Sequence, residues 1–172
     1  MMQMIAAGGM TALTDSQRNA DANNPRGYFE LESVKTLARN PDAIAEAEGK
    51  AVKVISSLLK FLPNRHEYRV IFMCRPLDEV LASQDRMMQR LGRAVPAAPV
   101  DSVKGAFEQH ILQIRAWLAA QPNIAVLYVE YGAVLQDAQA EAARLKAFLG
   151  LDLDVDAMAR QVQQSLYRER AG

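Results

Sequence analysis

Two continuous apolar runs rich in β-branched and aromatic residues, Arg69-Val70-Ile71-Phe72-Met73-Cys74 and Ile124-Ala125-Val126-Leu127-Tyr128-Val129, each predict a buried strand. Runs of this kind suit parallel strands covered on both faces, because a face left in water would show a polar residue at every second position. Lys50-Ala51-Val52-Lys53-Val54-Ile55-Ser56 alternates charged and apolar residues and predicts a third strand, and Met10-Thr11-Ala12-Leu13-Thr14 predicts a fourth. Around these runs the spacing turns helical. Leu77 to Leu91 carries apolar Val80, Leu81, Met87, Met88 and Leu91, Val103 to Ala120 comes next, and Ala138 to Leu149 stops at Gly150, a residue suited to a left-handed cap. The order strand, helix, helix, strand, helix predicts an α/β fold with a parallel sheet. Val95-Pro96-Ala97-Ala98-Pro99-Val100 reads as a surface loop between two helices.

Composition narrows the class. With 172 residues, half of them hydrophobic and 23% charged, the chain has the length of one domain, residues 1–172, and too much apolar content for a disordered segment. Twenty basic residues balance twenty acidic ones, which removes the overall attraction expected of a nucleic-acid binder. The balance is uneven along the chain: 1–49 holds four basic and seven acidic residues, 50–93 nine and four, and 94–172 seven and nine. An anion site is therefore expected in the middle third. One cysteine, Cys74, and two scattered histidines, His66 and His110, offer neither a disulfide nor zinc-ligand spacing, so a reducing cytoplasm and no metal are expected. Both histidines read as structural or solvated. Apolar runs fall short of the roughly 18 residues that span a bilayer, so no membrane insertion is expected.

The sharpest local feature is the passage from the strand ending at Cys74 into the next helix. Arg75 leaves the carboxyl end of a strand, where open parallel sheets bind ligands. Pro76 suits the first helical turn, and Asp78 and Glu79 suit the positive end of its dipole. Ser83 lies eight residues beyond Arg75, about two turns, so arginine and hydroxyl together could grip a phosphate. The alternative is that Arg75 pairs with Asp78 or Glu79 and Ser83 faces a neighbour.

This strand-Arg-Pro-x-Asp-x-Val-x-x-Ser passage resembles the 3′-phosphate-binding segment of sulfotransferases that use 3′-phosphoadenosine 5′-phosphosulfate (PAPS). Ala22-Asn23-Asn24-Pro25-Arg26-Gly27-Tyr28-Phe29-Glu30 resembles the Asn-Pro-x-Gly-aromatic-aromatic-Glu segment of bacterial sulfotransferase-like proteins. Val126-Leu127-Tyr128-Val129-Glu130-Tyr131 and Phe148-Leu149-Gly150-Leu151 resemble the family's late segments, so the likeness runs along nearly the whole chain. It implies a three-layer parallel sheet related to the P-loop nucleotide-binding proteins, with Arg75 and Ser83 on the cofactor's 3′-phosphate. It also implies that Lys53 steadies the leaving bridge oxygen, as a compact mobile cation does, and that Arg168 and Arg170 reach over the cofactor from the C-terminal segment. For Lys53 the bland alternative is a strand-edge lysine in water.

Two departures from the family pattern bear on activity. Met1 to Gly9 resembles the helix that comes after the phosphosulfate loop, so the first strand and the P-loop-like segment are missing from the sequence, and with them a cradle of backbone amides. A late start at an internal methionine and a reduced family member are both consistent with this, and a weakened core is expected. At the second departure, Lys53-Val54-Ile55 places isoleucine where many members carry a catalytic histidine. Isoleucine cannot take a proton, which makes Glu30 the candidate base, the alternative being a carboxylate that only pairs with Lys35. The expectation is sulfonyl transfer from PAPS to a hydroxyl or amine on a small-molecule or glycan acceptor. The alternative is a non-catalytic nucleotide-binding or interaction remnant of the fold. A P-loop kinase-like protein fits less well, lacking the Gly-rich loop and a magnesium-binding Ser or Thr after a lysine. Assembly into a homo-oligomer is left open.

Overall fold

The computed structural model describes residues 1–15, 27–90, 92 and 100–162. Of the predicted loop at 95–100, residues 95–99 lie outside the described residues and Val100 begins a helix; the stretch 22–26 and the arginines Arg168 and Arg170 also lie outside them. The elements run α1 (Met2–Ala7), three short 3-10 helices (Glu32–Thr36, Pro41–Ala47 and Ser56–Phe61), β1 (Tyr68–Cys74), α2 (Leu77–Arg90), α3 (Val100–Ala119), β2 (Ile124–Glu130), α4 (Tyr131–Gln136), α5 (Ala138–Leu149) and α6 (Val155–Ala159).

The two apolar runs form β1 and β2, and they pair in parallel from Tyr68 opposite Ile124 to Cys74 opposite Glu130. Alternation sends their side chains to two different packing layers. Ile71, Leu127 and Val129 pack with α1, α4, α5 and α6 through Met4, Val134, Leu145, Leu149 and Met158. Phe72, Ile124 and Val126 pack against Ile114 and Leu118 of α3 and Leu59 of the third 3-10 helix. A third cluster under the 3-10 helices joins Val34, Leu37 and Ile44 to Val52, Val54 and Tyr68. The chain is thus a mixed α/β fold whose parallel strands pack with helices on both faces, but the strands are less buried than their apolar runs predicted: Val129 is the buried residue among them and Met73 is exposed, since among the described residues no further strand flanks the pair.

The expected third and fourth strands do not form as strands. The segments 10–14 and 50–56 meet only at one parallel bridge, Ala12 to Ala51, in which Leu13 N–H donates to Ala51 C=O at 2.9 Å and Ala51 N–H donates to Thr11 C=O at 2.8 Å. Among the described residues the sheet has two strands. The physical reason lies in the backbone beyond Lys53. Val52 and Val54 turn into the apolar clusters as a strand would require, but after Ile55 the chain winds into the 3-10 helix Ser56–Phe61, so the alternating stretch ends before a ladder can extend.

Helix ends obey local chemistry. Asp137 caps α5 by accepting from Ala140 N–H, and Gly150 closes it at φ 63°, the left-handed conformation glycine tolerates best. The Arg69 guanidinium donates to the Phe148 carbonyl there, tying β1 to the end of α5. Gly8 serves a different purpose. Its φ is an ordinary −72°, but a Cβ built on it would stand 2.7 Å from Cγ of Met158 and 3.3 Å from Cβ of Leu153, so α6 approaches α1 only because the side chain is absent.

Gly8→Ala is therefore expected to destabilise the protein by about 1–3 kcal/mol, the usual cost of overfilling a packed site. Gly105→Ala, in α3 with nothing within 4 Å of the new carbon, is expected to stabilise it by about 0.5–1 kcal/mol. Urea unfolding of both variants checks the pair, and equal effects would contradict this packing.

Candidate functional site

The parallel register sets the geometry at the carboxyl end of the sheet. Because Cys74 lies opposite Glu130, the residues that follow the two strands leave them at one level, and the Arg75 guanidinium sits over the Tyr131 ring at 5.1 Å. Arg75 Nε donates to Glu79 Oε2 at 2.8 Å, with the Glu79 side chain only 5% exposed. Of the two acidic partners the sequence offered, Glu79 is the one used. Asp78 instead holds Lys104 of α3, whose ammonium donates to both carboxylate oxygens at 2.8 and 3.1 Å. Ser83 is half-buried on α2, one turn beyond Glu79, so a carboxylate stands between the arginine and the hydroxyl along this stripe of helix. A phosphate at this position would share Arg75 with Glu79.

A second constellation forms where the sequence offers no local hint of contact. Lys53 Nζ donates to Glu30 Oε1 and to the Tyr28 carbonyl, both at 3.2 Å, and lies 6.0 Å from the centre of the Tyr28 ring. Glu30 thus meets Lys53, while Lys35 pairs with Glu32. Phe29, just before Glu30, holds φ 49°, a left-handed conformation costly for a bulky residue. The turn is fixed from the other side: the Glu30 carbonyl accepts from Thr14 Oγ1 at 3.0 Å and Asp15 N–H at 3.2 Å, and Asp15 Oδ2 accepts from Glu32 N–H at 2.6 Å. Glu30 and Lys53, both half-buried, form a held carboxylate–ammonium pair that can accept a proton at one end and stabilise developing negative charge at the other.

The remaining basic residues of the middle third are partly structural. Arg65 donates to Asp42 and Arg69 to the Phe148 carbonyl. Beside Arg75, burial pushes the Cys74 thiol up from its ordinary range, and the neighbouring Glu130 carboxylate adds to the shift. Arg115 stacks on the Tyr128 ring at 4.3 Å. One pairing has no signature in the sequence: Ser56 Oγ lies 2.8 Å from His110 Nε2, across a separation of 54 residues that no motif bridges. The only available hint was that His110 precedes Ile114 and Leu118 on one face of α3, at spacings of four. An open concavity lined by Lys146, Asp152, Leu153, Asp154, Val155 and Asp156 contains none of the predicted site residues. Among the described residues no group of His, Cys, Asp or Glu is arranged to hold a metal ion, and no helix is long and apolar enough to cross a membrane.

No protein-family model, curated protein or solved structure matches the chain. What the fold and site define by themselves is a mixed α/β protein with polar side chains gathered at the carboxyl ends of two parallel strands.

The raised thiol makes a direct prediction. Less thiolate is present at neutral pH in the folded protein than in the unfolded chain, so iodoacetamide should alkylate Cys74 several-fold more slowly in native than in denatured protein. Glu130→Gln should speed the native reaction by removing the repelling charge. Mass spectrometry of the Cys74 peptide reads both rates, and unchanged alkylation in the variant would contradict the influence of Glu130.

Proposed function

We propose that this protein belongs to the PAPS-dependent sulfotransferases, in a cytoplasmic setting, with a three-layer fold related to the P-loop nucleotide-binding proteins. The observation that carries the reading is the contact between Lys53 and Glu30 at 3.2 Å. Two residues 23 apart in the chain, each given a catalytic role by the resemblance or by the missing histidine, lie within reach of one bound substrate. The position of Arg75 at the carboxyl end of β1 supports it, since that is where ligands enter open parallel sheets.

The donor sets suit such a cofactor: Arg75 and Ser83 offer a guanidinium and a hydroxyl for a 3′-phosphate, and the Lys53 ammonium offers a charge-assisted donor. PAPS when bound supplies an activated sulfonyl group. This chain's own residues supply the rest. Glu30 takes the proton from a hydroxyl or amine acceptor, small molecule or glycan. Lys53 keeps that carboxylate oriented and presents positive charge where negative charge develops. Glu79 aligns the guanidinium of Arg75 by holding Nε, and Tyr131 fixes the plane in which it lies.

The same Arg75–Glu79 bond favours a second reading, a non-catalytic nucleotide-binding or interaction remnant, because a buried carboxylate already neutralises the arginine. Calorimetric titration with 3′-phosphoadenosine 5′-phosphate separates the outcomes. Weak binding is expected, lost by at least tenfold in Arg75→Ala, a difference of about 1.4 kcal/mol. Since that variant also strips a buried carboxylate of its partner, Arg75→Ala/Glu79→Gln is titrated beside it and should bind as poorly while folding normally. Glu30→Gln should keep nucleotide binding and lower transfer from PAPS by roughly 100-fold, the usual contribution of a general base. Binding with no transfer in the parent protein would favour a nucleotide-binding remnant, and no binding by folded parent protein would overturn the phosphate grip of Arg75 and the sulfotransferase reading and leave the interaction remnant.

A further inference from the structure

The Ser56–His110 pair lies outside the sulfonyl-transfer machinery, and its geometry has a definite cause. Ser56 opens a 3-10 helix and Leu59 stands three residues on, which in that helix puts the two side chains one above the other. His110 and Ile114 are four apart in α3, which likewise stacks them one turn apart. Leu59 and Ile114, each 5% exposed, pack in one apolar cluster with Leu118 and Val54. The contact that buries them therefore sets Ser56 against His110 one turn away, at 2.8 Å between Oγ and Nε2. Both polar residues are half-buried, so they are held by the core and still reached by solvent. Ile55, immediately before Ser56, is 59% exposed and presents apolar surface beside the hydroxyl.

We propose that Ser56 is a nucleophile activated by His110, and that this pair accepts acyl groups from activated small esters, a function independent of nucleotide binding. With the imidazole proton on Nδ1, Nε2 is the acceptor of the Ser56 hydroxyl hydrogen, the arrangement a general base needs. Ser56 Oγ forms a bond to the ester carbonyl carbon as its proton passes to His110 Nε2. The carbon–oxygen bond to the leaving group breaks, the leaving oxygen departs with the electron pair, and His110 Nε2 passes the proton it took to that oxygen or to water, which frees the imidazole again. Water then cleaves the acyl-serine: its hydroxyl goes to the acyl carbon, and its remaining proton restores the Ser56 hydroxyl.

The probe is 4-nitrophenyl acetate, with two readouts: release of 4-nitrophenolate and the acetylated residue found by peptide mass spectrometry. Acetylation of the parent protein is expected at Ser56, absent in Ser56→Ala and slowed by roughly 100-fold in His110→Gln. His110→Gln retains a side chain able to hydrogen-bond Ser56, so normal folding with slow acetylation separates activation from mere support of the helix contact. Acetylation of folded parent protein at lysines alone, or an equal rate at Ser56 in His110→Gln, would overturn the proposal. Neither result depends on whether 3′-phosphoadenosine 5′-phosphate binds, so this inference and the sulfotransferase reading stand or fall separately.

Discussion

The parallel pairing of β1 with β2 is the constraint on which the rest of the molecule depends. Its seven-residue register, Tyr68 opposite Ile124 through Cys74 opposite Glu130, aligns both strand ends at one level. A slip by one residue would exchange the two faces of either strand, sending Leu127 and Val129 away from α5 and Phe72 away from α3. The same register brings Phe72 against Tyr128, with ring centres 5.5 Å apart, and sets Arg75 beside Tyr131. Packing and chemistry are thus consequences of one set of backbone hydrogen bonds.

Two styles of anchoring arise from this frame. Around α5 the core is dry and tight: Ala142, Leu145, Val129 and Met158 have no exposure to solvent, and α6 closes on α1 over the bare backbone of Gly8. Beneath the 3-10 helices the buried cluster is smaller, Val34, Leu37 and Ile44 among the described residues, and polar contacts take over. There Thr14, Asp15, Glu30, Glu32 and Lys53 lock one another through backbone and side-chain hydrogen bonds, and Phe29 holds its strained φ. Strain of this kind persists only where neighbours over-determine it, and here those neighbours are the residues that carry the proposed chemistry.

Arg75 lies just beyond the end of β1, where the sequence placed it, while its partner was left open there between Asp78 and Glu79. Its position after β1, the proline behind it and the acidic first turn of α2 are local features, written within a few residues of each other. That Glu79 rather than Asp78 takes the guanidinium depends on α3, which draws Asp78 to Lys104. Arg75 is held by a buried carboxylate, and under the proposed function an anionic ligand would have to compete with it, which makes the Arg75–Glu79 bond the point on which the two functional readings divide.

The sequence by itself determined the elements whose stability is local or strongly patterned. The two apolar runs became β1 and β2, the periodic stretches became α2 and α3 with ends shifted by a few residues, and α5 closed at Gly150 because a capping aspartate and a left-handed glycine act within a turn. It also singled out Arg75, Ser83, Lys53 and Glu30 one by one. Only the tertiary structure decided that the stretch around Lys53 makes one bridge and then winds into a 3-10 helix, that Glu30 meets Lys53 and not Lys35, and that Ser56 faces His110. These outcomes rest on contacts between residues far apart in the chain, set by which apolar faces pack together, and pairings of that kind leave no periodic trace along a single sequence.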